Sequence, residues 1–333
     1  MEIFIPDYYP SFRCLAADCP DSCCKEWTVD IDPASAKYYR SLPGDLGDRL
    51  RRALKDTDDG TIMEIENGRC PMWRQDGLCR IQAELGHDAL SQTCRDYPRL
   101  RHDYGDFVEL GLELSCPEAA RLILTSQGHK LFVQAQPGGT EPEYDTGCME
   151  ILRTSRKEVL DFLDTSSFSI PETLAIILLY SHSVQSAIDG GEFVPLMPDL
   201  CLQDAKKFAK PGDLPALRKL FLGLEILTDR WRTLLLSANR HLLWHEPLQA
   251  LLRYLIQRYW LQAISDYDLV CRVKFMIASC ILICSLDGDI TQSAQLYSKE
   301  IENDIDNVEA LFDSAYTSPA LTDTNLLGLL LNS

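Results

Sequence analysis

The residues of this chain that offer the clearest chemistry are its cysteines, of which the sequence has 13. Four of them lie within the stretch Cys14–Cys24, which reads CLAADCPDSCC. Free cysteine usually occurs singly, as a small buried hydrophobe, so a concentration of this kind indicates disulfides, a metal or an iron–sulfur cluster. Eight cysteines in the first third of the chain form the candidate ligand set: Cys14, Cys19, Cys23, Cys24, Cys70, Cys79, Cys94 and Cys116.

The expected reducing compartment favours metal binding by the cysteines over disulfide bonds. The first residues, MEIFIPDYYP, are acidic and aromatic and lack the basic segment and the apolar run of a secretory signal. We therefore expect a cytoplasmic protein, in which clustered thiols stay reduced and bind zinc or iron–sulfur iron. Disulfides and buried, inert thiols are the alternatives.

The cysteine spacing leaves open how the eight thiols are divided between metal sites. Cys23 and Cys24 point in different directions from neighbouring backbone positions, so one of them is expected to face a second site, a cluster edge or the core. The set suffices for two four-ligand sites, or for one cluster with additional structural cysteines. The pattern is not the CxxxCxxC loop of a radical S-adenosylmethionine enzyme, because Glu26 occupies the third cysteine position.

Two polar motifs adjoin these thiols. CRDYPR places charged side chains and a phenol beside Cys94, and SCPE places a carboxylate beside Cys116. Arginines near a thiolate lower its pKa and stabilise the charge of a cluster, whereas a carboxylate or phenolate can accept a proton from a substrate amine. Salt bridges that support the ligands are the favoured interpretation of these candidates: Arg95, Asp96, Tyr97, Arg99 and Glu118.

The other candidates for chemistry are weaker. His241 and His245 share a helical face without a third ligand nearby and are expected to be structural. The sequence contains no GxGxxG, GxSxG, HExxH or P-loop motif, so no catalytic residue is assigned. The later cysteines follow apolar helical spacing and are interpreted as core residues: Cys148, Cys201, Cys271, Cys280 and Cys284.

Short elements are expected to position the first thiols. The alternation in Thr28–Asp32 predicts a strand, Pro33 opens a helix, and Leu46–Leu54 predicts a second helix. Leu110–Leu114 predicts another strand, and Ser115 is expected to cap the helix that follows it.

Residues 61–81 are expected to bring two thiols together. They predict two extended segments joined by a turn at Asp76-Gly77. Pro71 cannot donate a ladder hydrogen bond, so the loop is expected to be wider than a two-residue hairpin. Such a loop allows Cys70 and Cys79 to face one metal.

Beyond a linker at residues 126–146, rich in proline and glycine, the chain is predicted to be helical. The fold class is therefore mainly α, with a Cys-rich metal- or cluster-binding region that contains short strands or a hairpin at residues 1–125. An α-helical domain follows at residues 147–333, and its apolar tail Leu326–Leu331 is expected to pack on the helices. Helical spacing is marked in a segment that begins after Pro171 and in Leu217–Leu235, Leu248–Ala263, Asp268–Leu286 and Ser293–Phe312.

The net charge of −18 excludes some partners. Nucleic acids and anionic lipid surfaces require a surplus of lysine and arginine, so neither is expected. An acidic surface suits a basic partner, although it also serves solubility. The longest apolar run, Met276–Leu286, is too short to span a bilayer.

Several motifs in matching order resemble a known family. They are FRCLAADCPDSCCKEWTVDID, GRCPMWRQDGLCRIQAELG, LSQTCRDYPR and ELSCPEAARLIL, between Phe12 and Leu124, with a weaker match at Leu251–Ile277. In these motifs the chain resembles the flagellin lysine-N-methylases and, beyond them, the wider family with a CxxCxxCC zinc- or iron-chelating region. Its own spacing departs from that pattern, with CxxxxC from Cys14 to Cys19.

The resemblance implies an enzyme, a protein-lysine N-methyltransferase that acts on the ε-amine of lysines in flagellin with S-adenosylmethionine as donor. It also implies an iron–sulfur cluster of the 4Fe–4S type held by cysteines among Cys14–Cys116, with zinc as the alternative metal. Flagellin is then the protein partner, methylated in the cytoplasm before its export. A non-catalytic zinc- or iron-binding scaffold and an electron-transfer or metal-storage protein are the alternative functions.

Overall fold

The computed structural model describes residues 1–126, 131–237, 242–244 and 247–332. The strands are β1 (Glu2–Pro6), β2 (Val29–Ile31), β3 (Leu54–Thr57), β4 (Gly60–Met63), β5 (Arg99–Asp103), β6 (Phe107–Leu112) and β7 (Leu131–Ala135). The helices are α1 (Pro33–Ser41), α2 (Gly44–Ala53), α3 (Arg80–Leu85), α4 (Gln92–Asp96), α5 (Pro117–Thr125), α6 (Thr146–Thr165), α7 (Ile170–Ile188), α8 (Pro198–Phe208), α9 (Leu214–Leu222), α10 (Asp229–Ser237), α11 (Pro247–Tyr259), α12 (Leu269–Ser285), α13 (Ile290–Tyr297), α14 (Ile305–Thr317) and α15 (Asp323–Leu331). A π-helical turn, Ser298–Glu302, follows α13. The predicted mainly α fold class is confirmed.

Two small sheets organise the first third of the chain. The four-stranded sheet has the order β5-β6-β1-β7, in which β1 is parallel to β6 and antiparallel to β7. Ile3, in the middle of β1, pairs with Val108 on one side and Gln134 on the other. The three-stranded sheet is antiparallel and has the order β2-β4-β3.

Two apolar cores support these sheets. The smaller core is confined to the first third and includes Tyr39, Leu50 and Met72, which are almost completely buried. The larger core contains Phe12 from the N-terminal segment together with Phe275 from α12. The helix α5 packs against α11 and α13, so part of the Cys-rich segment is anchored directly on the long helices.

The acidic residue Asp32 links two elements of the Cys-rich region. One oxygen of its carboxylate accepts a hydrogen bond from the Ser35 amide at 2.9 Å and caps α1, which begins at Pro33 as predicted. The other oxygen accepts from the Gln92 amide at 2.9 Å, in the first turn of α4. The side chain of Thr93 donates to the carbonyl of Asp30 in β2 at 3.0 Å. The strand β2 therefore fixes the position of α4 and of its Cys94.

The predicted pair of extended segments around Asp76-Gly77 is confirmed in part, because the first segment begins with β4 and the second is reduced to a bridge at Cys79. A turn does form there, because the Arg74 amide donates to the Leu78 carbonyl and Gly77 adopts a positive φ of 81°. A single bridge between Trp73 and Cys79 is the β-pairing of this loop, and α3 follows it. RIQAEL consists largely of good helix formers, which favour a helix where the alternation of a strand was expected.

Other predicted boundaries shift for local reasons. Cys116, not Ser115, is the N-cap of α5, because Pro117 occupies the first helical position. The helix predicted over Leu217–Leu235 is interrupted after Leu222, where the chain leaves α9 at Gly223. The helix predicted over Ser293–Phe312 is divided because the Asp304 side chain caps a new helix, α14.

The predicted linker at residues 126–146 contains β7, which pairs along its whole length with β1. Residues 127–130 of the linker, and also His241 and His245, lie outside the described residues. The division into units at residues 125 and 147 stays a prediction. The tail Leu326–Leu331 is confirmed as packed, since α15 contacts α7, α8 and α12. In the described part of the chain, no helix has the length and apolarity needed to cross a membrane.

Replacing Asp32 with alanine is expected to lower the free energy of unfolding by about 1–2 kcal/mol at pH 7, since the cap and the bond from Gln92 are both lost. Hydrogen bonds, first that of the Gln92 amide, lower the pKa of Asp32 to about 2. A carboxyl group with a lowered pKa stabilises the fold above the ordinary aspartate pKa and loses this contribution as pH falls through the folded value.

The difference between wild type and Asp32→Ala should therefore shrink as pH falls from about 4 to about 2. Urea unfolding at a series of pH values measures it. Asp58→Ala, which removes an exposed carboxylate from the β3–β4 turn, is the matched control and should change little. A difference that stays constant over this pH range would contradict the role of Asp32.

Candidate metal and substrate site

The structure brings the eight predicted cysteines together around two adjoining cavities. The larger cavity has a volume of about 850 Å³ and is lined by Cys23, Cys24, Cys70, Cys79 and Cys94. The smaller cavity, of about 260 Å³, is lined by the predicted cysteines other than Cys70. Four thiols line both cavities, so the two spaces share a wall: Cys23, Cys24, Cys79 and Cys94.

Three of the thiols interact directly. Cys24 is hydrogen-bonded through sulfur to Cys23 and to Cys70, and this bonding lowers the pKa of the Cys23 thiol to about 7. It also lowers the pKa of Cys70 and raises that of Cys24. The backbone supports the contact, because the Cys70 amide donates to the Cys24 carbonyl at 2.8 Å. Cys23 and Cys70 therefore offer a thiolate more readily than Cys24 does.

The thiols that surround this group are neutral as they stand. Burial raises the pKa of Cys94 and of Cys116 to about 12, and it also raises the pKa values of Cys19 and Cys79. A bound metal replaces the thiol proton, so these groups fit a soft cation in chemistry. Within the residues that the structure describes, however, no three His, Cys, Asp or Glu side chains are arranged to hold an ion.

Lys299 is central to the site, although the pattern of charges in the sequence did not predict its role. Its side chain is 1% exposed and reaches the Cys-rich stretch from the π-helical turn. Its Nζ lies 3.0 Å from the Asp21 carboxylate, 2.6 Å from the Glu26 carboxylate and 5.4 Å from the centre of the Trp27 ring. Gln295, one turn earlier, donates to the Ser115 carbonyl at 2.7 Å. The Cys-rich stretch and the segment at Ser115 are thus both joined to α13 and the π-helical turn that follows it.

A second buried network lines the larger cavity. The Glu302 carboxylate accepts a hydrogen bond from the Tyr259 hydroxyl at 2.8 Å and lies 3.7 Å from the Arg258 guanidinium. Arg258 also donates to the Tyr254 hydroxyl at 2.6 Å. Glu113 faces the same cavity and accepts from the Ser115 hydroxyl at 3.2 Å, and burial raises its pKa. These carboxylates come from distant parts of the sequence, and Glu113 is the first residue of the motif ELSCPEAARLIL.

The polar residues predicted beside the cysteines have different positions. Tyr97 lines both cavities, shares a hydrogen bond with Ser115 at 3.1 Å and packs edge-on against Trp27. Glu118 forms an ion pair with Arg121 at 2.7 Å, as a salt-bridge role requires. Arg95, Arg99 and Glu118 line only the smaller of these two cavities, and Asp96 lines neither of them.

The later cysteines lie away from these cavities. Cys280 and Cys284 are buried in the larger core, as is Cys148. Cys271 is also buried, and Cys201 is half-buried against the core. Burial raises the pKa of Cys280 to about 12. Their interpretation as core residues is confirmed.

These features define a mainly helical, Cys-rich protein whose thiols and buried carboxylates face a common cavity. The flagellar biosynthetic protein FliU of Salmonella muenchen is 32% identical over 126 residues, which make up 36% of this chain and 75% of FliU. The lysine-N-methylases of Salmonella typhimurium and Salmonella choleraesuis are also 32% identical over 126 residues. The chain belongs to the family of FliU and these lysine-N-methylases.

The match spans 31% of the length of each lysine-N-methylase and 36% of this chain. No family model matches the chain, and no solved structure matches it.

The prediction of a metal site implies that Cys23→Ala and Cys94→Ala should each lower the metal content of the purified protein, because both thiols belong to the wall shared by the two cavities. Cys284→Ala removes a buried thiol of α12 and should leave the metal content unchanged. Elemental analysis after anaerobic purification measures the ratio of metal to protein. Equal loss of metal in all three variants would contradict the division of the cysteines into ligands and core residues.

Proposed function

We propose that this protein is a protein-lysine N-methyltransferase that acts on the ε-amine of lysines in flagellin, in the cytoplasm before flagellin is exported. The observation that carries the proposal is the cavity of about 850 Å³ in which the Cys-rich wall faces buried carboxylates. Membership of a family that contains proteins named lysine-N-methylase supports the reaction. The name of FliU supports a flagellar substrate.

We further propose that four of the eight cysteines hold an iron–sulfur cluster of the 4Fe–4S type, with zinc as the alternative metal. The donor set supports this assignment in its chemistry, because thiolates are the ligands of such clusters and Cys23 has a lowered pKa. The cysteine spacing of this chain departs from CxxCxxCC, which is compatible with ligands that come from separate segments. The ligands would be drawn from Cys14, Cys19, Cys23, Cys24, Cys70, Cys79, Cys94 and Cys116, and the other cysteines would be structural or belong to a second site.

S-adenosylmethionine, the proposed methyl donor, supplies a methyl group on a sulfonium sulfur. The residues of this chain must deliver the lysine as a neutral amine, because an ammonium group has no free electron pair. Glu113 is suited to accept the proton, since its carboxylate lines the cavity and the residue is half-buried beside Ser115. The Arg258 guanidinium offsets the charge of neighbouring Glu302. The apolar walls, including Met63 and Met72, exclude water and favour the neutral amine.

Incubation of the anaerobically purified protein with S-adenosylmethionine and unmodified flagellin is expected to add methyl groups to lysine side chains, detected by mass spectrometry. Glu113→Gln should lower the rate by about 10²-fold or more, since the proton acceptor is lost while the shape of the side chain is kept. Cys284→Ala is the control and should retain activity.

If no lysine gains a methyl group although the metal site is loaded, the proposed reaction is wrong. A colourless zinc protein without transfer activity would then favour a metal-binding scaffold. A brown protein with broad visible absorbance would support the cluster.

A further inference from the structure

The larger cavity has two chemically different sides. The wall supplied by the first third of the chain is mainly apolar and aromatic, with Trp27, Tyr39 and Met72 beside the thiols. The opposite wall comes from the segment before α10 and from the start of α14, and it is acidic. The carboxylates that line the cavity are Asp30, Glu113, Glu225, Glu300, Glu302, Asp304 and Asp306.

The cationic groups of the lining do not neutralise this wall. The lining contains the basic side chains Arg258 and Lys299. Lys299 is bound to Asp21 and Glu26, and Arg258 lies against Glu302. A positively charged ligand would therefore meet an excess of carboxylates, because the lining has seven acidic and two basic side chains.

The solvent exposure of the lining residues identifies the mouth of the larger cavity. Glu225 and Asp306 are exposed, and among the described residues neither carboxylate has an ion-pair partner. Between them lie two apolar side chains that are unusually open to solvent, Ile305 at 66% exposure and Leu227 at 37%. Deeper in the cavity, Glu300 and Glu302 are buried. The cavity therefore passes from a charged and apolar rim to an enclosed interior.

We propose that a lysine-bearing, extended segment of the protein substrate docks on the rim formed by Glu225, Leu227, Ile305 and Asp306. Its lysine side chain enters the cavity from this side, with the alkyl stem along the apolar wall and the ammonium group directed toward the carboxylates. Lysine combines these properties, because its apolar stem carries a compact charge at the end. This inference rests on the proposed function and assigns the side from which its substrate enters.

The rim then binds the protein substrate, whereas the thiols bind the metal. The segment that docks on the rim stays at the mouth of the cavity, and its lysine side chain enters the interior. Glu225 and Asp306 attract the cationic group and belong to the binding step, whereas Glu113 lies in the interior. Neutralising the rim should therefore weaken binding of the substrate and leave the metal content unchanged.

Fluorescence anisotropy on the full chain tests the rim, with a short labelled peptide that carries one lysine among alanine and serine residues and a second peptide with norleucine in its place. Wild type should bind the lysine peptide about three- to ten-fold more tightly than the norleucine peptide, with the difference declining at high salt. The double variant Glu225→Gln, Asp306→Asn should lose most of this preference.

Glu309→Gln, Asp313→Asn is the matched control, because it removes two exposed carboxylates of α14 that do not line the cavity. It should keep the preference for lysine. Equal binding of both peptides by wild type, or an unchanged preference in the rim variant, would overturn the proposal. Because the binding test contains no methyl donor, failure of methyl transfer with an intact preference would contradict the reaction and not the docking surface.

Discussion

The structure of the site depends on one buried ammonium group. Lys299 is almost completely inaccessible to solvent, and a charge in that position is stable only if it is paired and hydrogen-bonded. Its partners, Asp21 and Glu26, belong to the stretch that carries Cys19, Cys23 and Cys24. The pairing therefore determines where this short, turn-rich segment lies, because the segment has little apolar surface of its own to bury.

The cavity is a consequence of this attachment. The Cys-rich stretch forms one wall, while the residues that follow Lys299 form much of the acidic wall. Glu302 lies three residues beyond Lys299, in the same π-helical turn, and is held by Tyr259 and Arg258. A single turn of the chain thus binds the thiol-bearing segment on one side and places a buried carboxylate on the other. Such a turn is rare in proteins and is frequent at functional sites.

The parts of the fold that local sequence determines were predictable. The strand β2, the start of α1 at Pro33 and the helix α12 follow from alternation, proline and apolar spacing within a few residues. The concentration of eight thiols also identified the site, because it is visible in the local sequence. The extended segments around Asp76-Gly77 are shorter than predicted because a turn signal does not determine how far the pairing extends, and helix formers follow from Arg80.

The other half of the site depends on contacts between residues far apart in the sequence. Lys299, Glu302 and Arg258 are ordinary charged residues of a helical region, and nothing in their neighbours distinguishes them from solvent-exposed ones. Glu113 begins the motif ELSCPEAARLIL, but only Ser115, Cys116, Pro117 and Glu118 of that motif were given a role from the sequence. Their burial arises only when α5 packs against α11 and α13, which no local pattern indicates.

The central claim is that Lys299 holds the Cys-rich stretch against the helices. Amide hydrogen exchange of Lys299→Met, compared with Lys274→Met, tests it most directly. Lys274 is a matched control, because it is also buried and paired, with Asp323 at 3.0 Å, yet does not line either of the two cavities. Lys299→Met should accelerate exchange at residues 14–28, and Lys274→Met should not. Equal exchange at residues 14–28 in wild type and Lys299→Met would contradict the claim.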